Sequence, residues 1–382
     1  MKPPETNNHS TEETLRMQQP FLDHKRVLVT GGTGSMGKVL VRRLLTGEIG
    51  LPDKVVVLSR DEAKQHDMRM AWLHKKVTTD ETIYSNFLNR LEFRLGDIRN
   101  YADVASAMRD VDVVINAAAL KQVPNCEYFP EQAVATNCSG PSNIVRAIRE
   151  LKLPVDTVVG ISTDKACKPV NVMGLTKAVH ERIFTSANIL CPETRFICTR
   201  YGNVLASRGS VIPLFHEQIS NGGPVTVTVP EMTRFLMSID EAVDCVFAAL
   251  EHASPGETFV PTAPSATVMN IARALIGKRN IPVNVTGIRP GEKMHELMIS
   301  EEESHYTVQR GNYFAIRCML PELLVNLKEE PAALDKEFSS ADTVISLDET
   351  VQLLKHHQLL PGQAEAEDNL ELFEAAAAKK AA

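Results

Sequence analysis

Short runs of β-branched residues alternate with helical patterns from residue 26 to about residue 200, and this alternation constrains the fold more than any other feature. Because parallel strands need a long crossover between them, the alternation is typical of a parallel sheet covered by helices. Runs such as VVVL and DVVIN are apolar without interruption, as in strands buried on both faces. We therefore predict an α/β fold with a doubly wound parallel sheet. The predicted strands are Arg26–Thr30, Lys54–Leu58, Leu91–Leu95, Val111–Asn116, Asp156–Ile161 and Arg195–Arg200, and the predicted helices span 36–47, 61–75, 101–109, 130–150 and 173–190.

Net charge and cysteine usage exclude several classes of protein. The 382-residue chain carries a net charge of −7, mostly in its two terminal segments, so the nearly neutral region between them does not attract a polyanion and we expect no nucleic acid partner. Seven scattered cysteines without metal-ligand spacing predict a reduced compartment and no metal site. No apolar run reaches the roughly 18 residues that a membrane-spanning helix needs, and the first residues lack a signal-peptide core. We therefore expect a cytoplasmic protein with no membrane partner.

The first strand runs directly into the sequence TGGTGSMG, with glycines at 31, 34 and 37. Without a Cβ, the backbone N–H groups of such a turn can approach a pyrophosphate, and the N-terminus of the following helix adds a partial positive charge. An ordinary tight turn is the alternative interpretation. The strand before the turn, the helix after it and the alanine run 117–119 behind the fourth strand favour a dinucleotide site in a Rossmann-like sheet.

The end of the second strand, LSRDEAK, bears on the choice of cofactor. An acidic side chain here would bond the ribose 2′-hydroxyl of NAD, whereas a cation would bind the 2′-phosphate of NADP. Ser59 and Arg60 present a hydroxyl and a guanidinium, and Lys64 lies one helical turn further on. The alternative is that Arg60 faces solvent and Asp61 binds the ribose. We predict NADP, with NAD as the alternative cofactor.

Beyond residue 200 the patterns become shorter and less regular, with a strand-like run at 225–229 and helices near 239–251 and 269–276. These segments predict a smaller C-terminal lobe that binds the substrate and is interleaved with the sheet domain. The predicted organisation is a flexible N-terminal tail at 1–24, an NADP-binding Rossmann domain at 25–200, the mainly substrate-binding lobe at 201–330 and a partly flexible C-terminal extension at 331–382.

Reactive side chains gather where the fifth strand ends, at Thr163, Asp164 and Lys165. Residues at the carboxyl ends of parallel strands point into the ligand crevice of an open α/β sheet, so the chemistry is expected here. The next helix opens with MGLTK, and four-residue spacing places Met173 and Lys177 on one helix face. Taken alone, Asp164 and Lys165 could also form an ordinary surface ion pair.

Ten short strings resemble those of the extended short-chain dehydrogenase/reductases and, within them, of the UDP-N-acetylglucosamine 4,6-dehydratases of polysaccharide biosynthesis. They cover residues 26 to about 300 and are TGGTGSMG, SRDEAKQ, GDIRN, AAALKQVP, TNCSG, STDKACKP, MGLTK, RYGNVLASRGSVIP, MTRFLMSIDEAV and RPGEKMHE. Methionine at 173, where the superfamily usually has tyrosine, resembles one subset of these dehydratases.

The resemblance implies a hydro-lyase that acts on UDP-N-acetylglucosamine for surface-glycan or modified-sugar biosynthesis. A hydride leaves carbon 4 of the sugar as the 4-hydroxyl loses its proton, water is lost across carbons 5 and 6, and the hydride returns to carbon 6 while a proton is added to carbon 5. The product is a UDP-4-keto-6-deoxy-N-acetylhexosamine. By the same resemblance Lys165 is the base at carbon 5 and Asp164 the acid at carbon 6. Thr163 then bonds the 4-hydroxyl, and Lys177 holds the nicotinamide ribose.

The resemblance also implies which residues contact each ligand. The expected cofactor contacts are Gly31, Thr33, Gly34, Ser35, Met36, Gly37, Ser59, Arg60, Lys64, Asp97, Ile98, Ala117, Ala118, Ala119, Lys121, Lys177, Tyr201 and Asn203. The expected substrate contacts are Lys121, Asn137, Asn203, Arg208, Val211, Arg234, Arg289 and Glu292. A guanidinium suits a phosphate, although any one of these arginines could lie at an ordinary surface. The expected partners are the UDP-sugar and further copies of this chain, in a dimer or larger homo-oligomer.

Met173 stands at the catalytic position whose tyrosine normally takes the hydroxyl proton, which leaves two interpretations. Either the chain is a non-catalytic NADP-binding regulator, or other groups have taken over the proton transfer. The opposite charges of Asp164 and Lys165 at a crevice-facing strand end favour the second. A nucleotide-sugar epimerase, which normally needs the tyrosine, is a further alternative. The configuration of the product at carbon 5 stays open.

Acid and base roles set conditions on pKa values. A lysine near its reference pKa of about 10.4 is protonated and cannot act as a base, so burial and Lys177 must lower the pKa of Lys165. Asp164 must instead arrive protonated. Because a direct ion pair would stabilise both charges, we predict that Asp164 and Lys165 point to different atoms of the substrate. The histidines at 180, 216 and 295 lack partners at catalytic spacing and are predicted to be packing or surface residues.

Overall fold

The computed structural model describes residues 20–73, 81–205, 210–288, 291–324 and 330–362. The strands are β1 (Arg26–Thr30), β2 (Lys54–Ser59), β3 (Leu91–Leu95), β4 (Val113–Asn116), β5 (Thr157–Thr163), β6 (Arg195–Tyr201), β7 (Val225–Val227), β8 (Thr233–Phe235), β9 (Thr258–Pro261), β10 (Ser265–Thr267), β11 (Val283–Val285), β12 (Leu297–Ile299), β13 (Thr307–Arg310), β14 (Tyr313–Ile316) and β15 (Phe338–Ser339). The helices are α1 (Ser35–Thr46), α2 (Glu62–Leu73), α3 (Glu81–Arg90), α4 (Tyr101–Ala107), α5 (Val123–Tyr128), α6 (Pro130–Val134), α7 (Gly140–Leu151), α8 (Val172–Leu190), α9 (Val211–Ser220), α10 (Ile239–His252), α11 (Val268–Ile276), α12 (Glu301–Ser304), α13 (Pro321–Leu324) and α14 (Leu347–His356).

A nine-stranded sheet with the order β3-β2-β1-β4-β5-β6-β9-β14-β13 forms the centre of the fold. Neighbours from β3 to β9 are parallel, whereas β14 pairs antiparallel with β9, and β13 antiparallel with β14. The strand order changes direction between β1 and β4, where open sheets of this kind form their ligand crevice. The predicted Rossmann-like α/β fold is confirmed.

The sheet is buried on both faces, which explains the continuous apolar runs of its strands. On one face Leu40 and Leu44 of α1 pack in a cluster that includes Val246 of α10. On the other face Ile144 of α7 and Phe184 of α8 belong to a second cluster. Helices clamped on both faces hold the carboxyl ends of the parallel strands in fixed positions, and the candidate site lies at those ends.

The six predicted strands are all present, with ends that shift by at most two residues. The helix predicted at 130–150 is interrupted: α6 and α7 are joined by a π-helical turn at Ala135–Ser139. A π turn inserts one residue into the helical repeat, and apolar periodicity does not reveal such an insertion. Helices α3, α5, α9, α12, α13 and α14 were not predicted.

Residues beyond 200 contribute both to the main sheet and to a smaller lobe. Strands β9, β13 and β14 extend the sheet, while the pairs β7 with β11, β8 with β10 and β12 with β15 lie outside it. Helices α9, α11 and α14 supply a separate apolar cluster that includes Phe215, Leu275 and Leu354. Among the described residues, no helix is both long and apolar enough to cross a membrane.

Candidate active site

The glycine turn after β1 packs against the chain that follows β4. Gly31 has a φ of +67°, and a Cβ there would lie 2.8 Å from Cα of Ala118. A Cβ on Gly37 would lie 2.5 Å from the carbonyl oxygen of Gly31, so neither position admits a side chain. Helix α1 begins behind Gly34, which has no side chain to cap the first N–H groups. A close-packed turn at a helix N-terminus fits the pyrophosphate of a dinucleotide.

Hydroxyl and amide groups tie this turn to its neighbouring strands. Thr30 Oγ1 donates to Oδ1 of Asn116 at 2.6 Å and accepts the N–H of Ala118 at 3.3 Å. The hydroxyls of Thr33 and Ser59 lie 2.9 Å apart. Within the described part of the chain, the buried Nδ2 of Asn116 has no hydrogen-bond partner. An orphaned donor at the carboxyl end of β4 fits a site that a polar cofactor completes.

Two exposed cations, Arg60 and Lys64, follow β2. Each lies near a carboxylate: Nη1 of Arg60 is 3.9 Å from Oδ2 of Asp97, and Nζ of Lys64 is 3.2 Å from Oδ2 of Asp61. Asp61 also accepts the backbone N–H of Lys64 at 3.1 Å, which caps the first turn of α2. The carboxylate of Asp61, which was the alternative ligand for the ribose of NAD, therefore already caps the first turn of α2.

Strand β5 passes directly into a single 3₁₀ turn, Asp164–Ala166. Oδ1 of Asp164 accepts hydrogen bonds from Thr163 Oγ1 at 2.7 Å and from Lys165 Nζ at 3.0 Å. The prediction that Asp164 and Lys165 point to different atoms instead of pairing is wrong, because the tight turn brings the adjacent side chains together. Asp164 is fully buried, and its Oδ2 has no hydrogen-bond partner among the residues that the structure describes.

A second carboxylate, Glu296, approaches Lys165 from the start of β12. Its Oε1 lies 3.7 Å from Nζ of Lys165 and 3.7 Å from Nε of Arg234. Asn203 completes the group, with Oδ1 accepting from Lys165 Nζ at 3.3 Å. Two predicted substrate contacts, Asn203 and Arg234, are therefore brought to the turn that follows β5. Glu296 was not predicted, although it ends the string RPGEKMHE.

The charges around Lys165 determine its protonation. Burial opposes the ammonium charge, and so does Arg234, but the carboxylates of Asp164 and Glu296 outweigh both and raise the pKa of Lys165 above its ordinary value. The prediction of a lowered pKa is therefore wrong for this arrangement of residues. Lys165 can act as a base only when its proton is transferred to a neighbouring group.

Lys177 lies on the inner face of α8 and is buried. Its Nζ donates to the carbonyl oxygen of Ile161 at 2.5 Å and lies 2.6 Å from Nδ1 of His180. Burial lowers the pKa of Lys177 to about 8. The prediction that His180 lacks a partner is therefore wrong: it contacts Lys177 one helical turn away.

Met173, at the start of α8, is also buried. It packs in a small cluster with Cys126 and Ala133, against which Leu120 and Val123 are partly buried. Position 173 is therefore occupied by an apolar packing residue.

Asn137, expected to contact the substrate, is fully buried in the π-helical turn. Its amide accepts the N–H of Leu120 at 2.8 Å and donates to the carbonyl of Leu120 and to the hydroxyl of Thr176, each at 3.0 Å. These bonds hold the chain after β4 against α8. Asn137 thus lies behind the wall of the crevice and holds that wall in place.

The other expected contacts lie at varied positions. Tyr201 is buried near Met36 and stands in register with Thr163 of the neighbouring strand. Val211 opens α9. Arg208 and Arg289 lie outside the described residues. His216 and His295, the other two histidines predicted to be packing or surface residues, bond within the protein. His216 contacts the carbonyl of Leu359, and His295 contacts the hydroxyl of Thr233.

Comparison with known proteins identifies the family to which this chain belongs. The model of the family described as "Polysaccharide biosynthesis protein" matches residues 27–318. The chain belongs to this family. Its relatives include a protein named UDP-glucose 4-epimerase from Rickettsia akari, which is 43% identical over 302 residues, covering 78% of this chain and 83% of the relative. Another, named UDP-N-acetylglucosamine 4,6-dehydratase (inverting), from Campylobacter jejuni, is 41% identical over 295 residues, covering 76% of this chain and 82% of the relative.

Solved structures resemble this chain over most of its length. Pen from Bacillus thuringiensis is 34% identical, with a TM-score of 0.77 that covers 89% of this chain and 99% of Pen. DesIV, a dTDP-glucose 4,6-dehydratase from Streptomyces venezuelae solved with NAD and TYD bound, is 20% identical with a TM-score of 0.59, covering 87% and 98% of the two chains. Relatives more than 40% identical to this chain thus carry the names of a nucleotide-sugar epimerase and of a nucleotide-sugar dehydratase.

Proposed function

We propose that this protein is an NADP-dependent nucleotide-sugar 4,6-dehydratase that converts UDP-N-acetylglucosamine into a UDP-4-keto-6-deoxy-N-acetylhexosamine. One observation carries the proposal: at the carboxyl end of β5, Asp164 and Lys165 share a hydrogen bond of 3.0 Å. Loss of water across two carbons needs an acid for the departing hydroxyl and a base for the neighbouring carbon. A carboxyl and an amine in contact are the two groups that this step requires.

A proton shift within this pair would supply both groups at once. Moved from Nζ of Lys165 to the carboxylate of Asp164, the proton leaves a neutral amine as the base and a carboxylic acid as the acid. Exclusion of solvent from the site favours the neutral pair, because two buried charges lose their hydration. The Lys165 side chain is 25% exposed, and a sugar seated over the turn would cover it. Substrate binding would therefore promote the proton shift.

The other residues of the site hold the reactants. Bound NADP would supply the hydride acceptor and donor for carbons 4 and 6. We assign Thr163 to the 4-hydroxyl of the sugar and Lys177 to the nicotinamide ribose. Asn203 and Arg234, both beside the catalytic turn, would orient the sugar and its diphosphate. With Met173 packed among apolar side chains, proton transfer is left to the residues of the turn.

The preference for NADP is supported by the residues that follow β2. Arg60 and Lys64 are exposed cations, whereas Asp61 is held by the backbone and side chain of Lys64. A 2′-phosphate can replace the weak contact of 3.9 Å between Arg60 and Asp97 with a stronger, bidentate one. The 2′-hydroxyl of NAD offers no comparable gain.

A UDP-sugar 4-epimerase is the second candidate, since several relatives that are more than 40% identical carry that name. Epimerisation removes a hydride from carbon 4 and returns it to the opposite face of the same carbon. It therefore needs no acid at carbon 6 and no base at carbon 5. Asp164 and Lys165 would then move only the proton of the 4-hydroxyl, which needs one acid–base group and not an acid together with a base, so we favour the dehydratase.

Proton NMR separates the two candidates. The full-length protein is incubated with NADP and UDP-N-acetylglucosamine in deuterated water, with UDP-glucose as the comparison substrate. A dehydratase gives a product with a methyl group at carbon 6 and deuterium at carbon 5. An epimerase inverts carbon 4 and leaves the protons on carbons 5 and 6 in place. Unchanged substrate with both NADP and NAD would refute both functions.

A further inference from the structure

The buried ammonium of Lys177 is held by two acceptors from different elements. One is the carbonyl oxygen of Ile161 in β5, at 2.5 Å, and the other is Nδ1 of His180, at 2.6 Å. Lys177 is only 4% exposed, and His180 is fully buried. A lysine ammonium has three N–H donors, so these contacts leave one donor for a ligand.

The environment of His180 gives its ring no other polar contact. Within the described part of the chain, Nε2 has no hydrogen-bond partner. The ring stands edge-on to Phe184, with centroids 4.9 Å apart. Gly160 in β5 makes room for it, because a Cβ there would lie 2.6 Å from Nε2. The strand thus lacks a side chain at the position where the imidazole lies.

We propose that His180 is a positioning residue that accepts a hydrogen bond from Lys177 and directs the remaining N–H of the ammonium toward the cofactor. The proposal rests on the proposed function, in which Lys177 holds the nicotinamide ribose. Because the charged ammonium of Lys177 has N–H donors and no acceptor, Nδ1 of His180 accepts and the ring carries its proton on Nε2. Without this acceptor a single carbonyl would hold Nζ, and the long side chain could rotate away.

Packing alone does not account for a histidine at this position. An apolar residue such as leucine would fill the space beside Phe184 and would leave no unpaired nitrogen in the core. A buried polar atom without a partner costs free energy, so a purely structural role would favour the apolar residue. The hydrogen bond to Lys177 is what the imidazole adds.

The charged and titratable groups around Lys177 come from three elements. Glu181 lies on α8 itself, Cys198 on β6 and Cys138 in the π-helical turn. Burial and the charge of Lys177 keep the pKa of His180 well below its ordinary value, so the ring stays neutral near pH 7. A neutral acceptor stabilises the ammonium, and removal of this acceptor should lower the pKa of Lys177 further.

The test compares His180→Leu with His180→Gln in the full-length protein. The amide oxygen of glutamine can accept from Nζ, whereas leucine only fills space. We expect His180→Leu to keep the thermal midpoint within a few degrees, to weaken NADP binding at least about tenfold, and to move the alkaline limb of NADP binding to lower pH. His180→Gln should recover most of the affinity. The matched control is His216→Gln, at a half-buried histidine that bonds a carbonyl in the small lobe.

Several outcomes would overturn the proposal. Wild-type affinity and pH dependence in His180→Leu would do so, and so would equal losses of affinity and thermal midpoint in both variants. Nitrogen-15 NMR of His180 needs no ligand and is expected to show the Nε2–H form from pH 6 to 8; the other tautomer would refute the hydrogen bond. If the wild type binds no dinucleotide, the proposed function fails, and the NMR result still decides the contact between His180 and Lys177.

Discussion

At the scale of single residues, the position of Lys165 between two carboxylates governs when it can act as a base. Asp164 Oδ1 lies 3.0 Å from its Nζ and Glu296 Oε1 lies 3.7 Å away. Both carboxylates favour the charged lysine, and the reaction proposed here needs the neutral one. The balance between these charges should therefore be visible in the pH dependence of turnover.

Glu296→Gln removes one negative charge near Lys165 and keeps the shape of the side chain. The pKa of Lys165 should fall, and since the proposed step needs the one proton that Lys165 and Asp164 share, the alkaline limb of kcat, where that proton is lost, should move to lower pH by roughly one unit, equivalent to about 1.4 kcal/mol. The measurement is kcat over a pH range that extends from neutral to strongly alkaline. Glu301→Gln, at an exposed glutamate of α12, should leave the profile unchanged. A shift to higher pH would contradict the assignment of Lys165 as base.

Arg60→Ala tests the choice of cofactor. If Arg60 contacts the 2′-phosphate as proposed, loss of its guanidinium should weaken NADP binding about tenfold or more, while NAD binding should change by less than about threefold. Titration calorimetry with both dinucleotides provides the measurement, and NAD serves as the internal control. An equal loss for the two cofactors would show that Arg60 does not discriminate between them.

Met173→Ala tests whether the methionine only packs. Truncation in a buried apolar cluster should lower the free energy of unfolding by about 2–5 kcal/mol, while Met173→Leu should cost less than about 1.5 kcal/mol. Turnover per folded molecule should stay within about threefold of the wild type in the leucine variant, because no proton is transferred at this position. Complete loss of turnover in folded Met173→Leu would assign the side chain a direct catalytic role.

At the scale of elements, α8 and the end of β5 form the site together. The four-residue spacing predicted that Met173 and Lys177 share a helix face, and both are buried on the inner face of α8. The turn after β5 was likewise found from the sequence, because polar residues follow an apolar strand. Glu296 and the contact between Lys177 and His180 were missed. The first depends on pairing between distant segments, and the second on the missing side chain of Gly160 across from the helix.

At the scale of the whole molecule, a buried ion network joins the sheet to the smaller lobe. Arg200 of β6 donates to Glu181 of α8 at 2.6 Å and to Glu303 of α12 at 2.7 Å. Nη1 of Arg200 also donates to the carbonyl of Met298 in β12. Ser162, one residue before Thr163, donates to Glu181 at 2.5 Å. The network lies behind the turn that follows β5 and fixes the strand ends that carry Asp164 and Glu296.

This network predicts a specific sensitivity to acid. Burial alone would raise the pKa of Glu303, but Arg200 outweighs it and lowers the pKa to about 2. Because the folded-state pKa is below the unfolded value, Glu303 contributes stability above about pH 4.5 and loses it as the pH falls toward 2, by up to about 3 kcal/mol.

Denaturant unfolding of the wild type and of Glu303→Gln between pH 5 and 2.5 measures this contribution. The wild type should lose stability more steeply than the variant over that range. Equal slopes would show that Glu303 does not titrate as the ion network requires.

Turnover by Lys165→Ala tests most directly whether Asp164 and Lys165, at the end of β5, perform the acid and base chemistry of a dehydration. Product formation from UDP-N-acetylglucosamine is followed by NMR, and NADP binding is measured on the same sample as a check on folding. We predict NADP affinity within about threefold of the wild type and turnover at least about a hundredfold slower. Wild-type turnover in this variant would contradict the account.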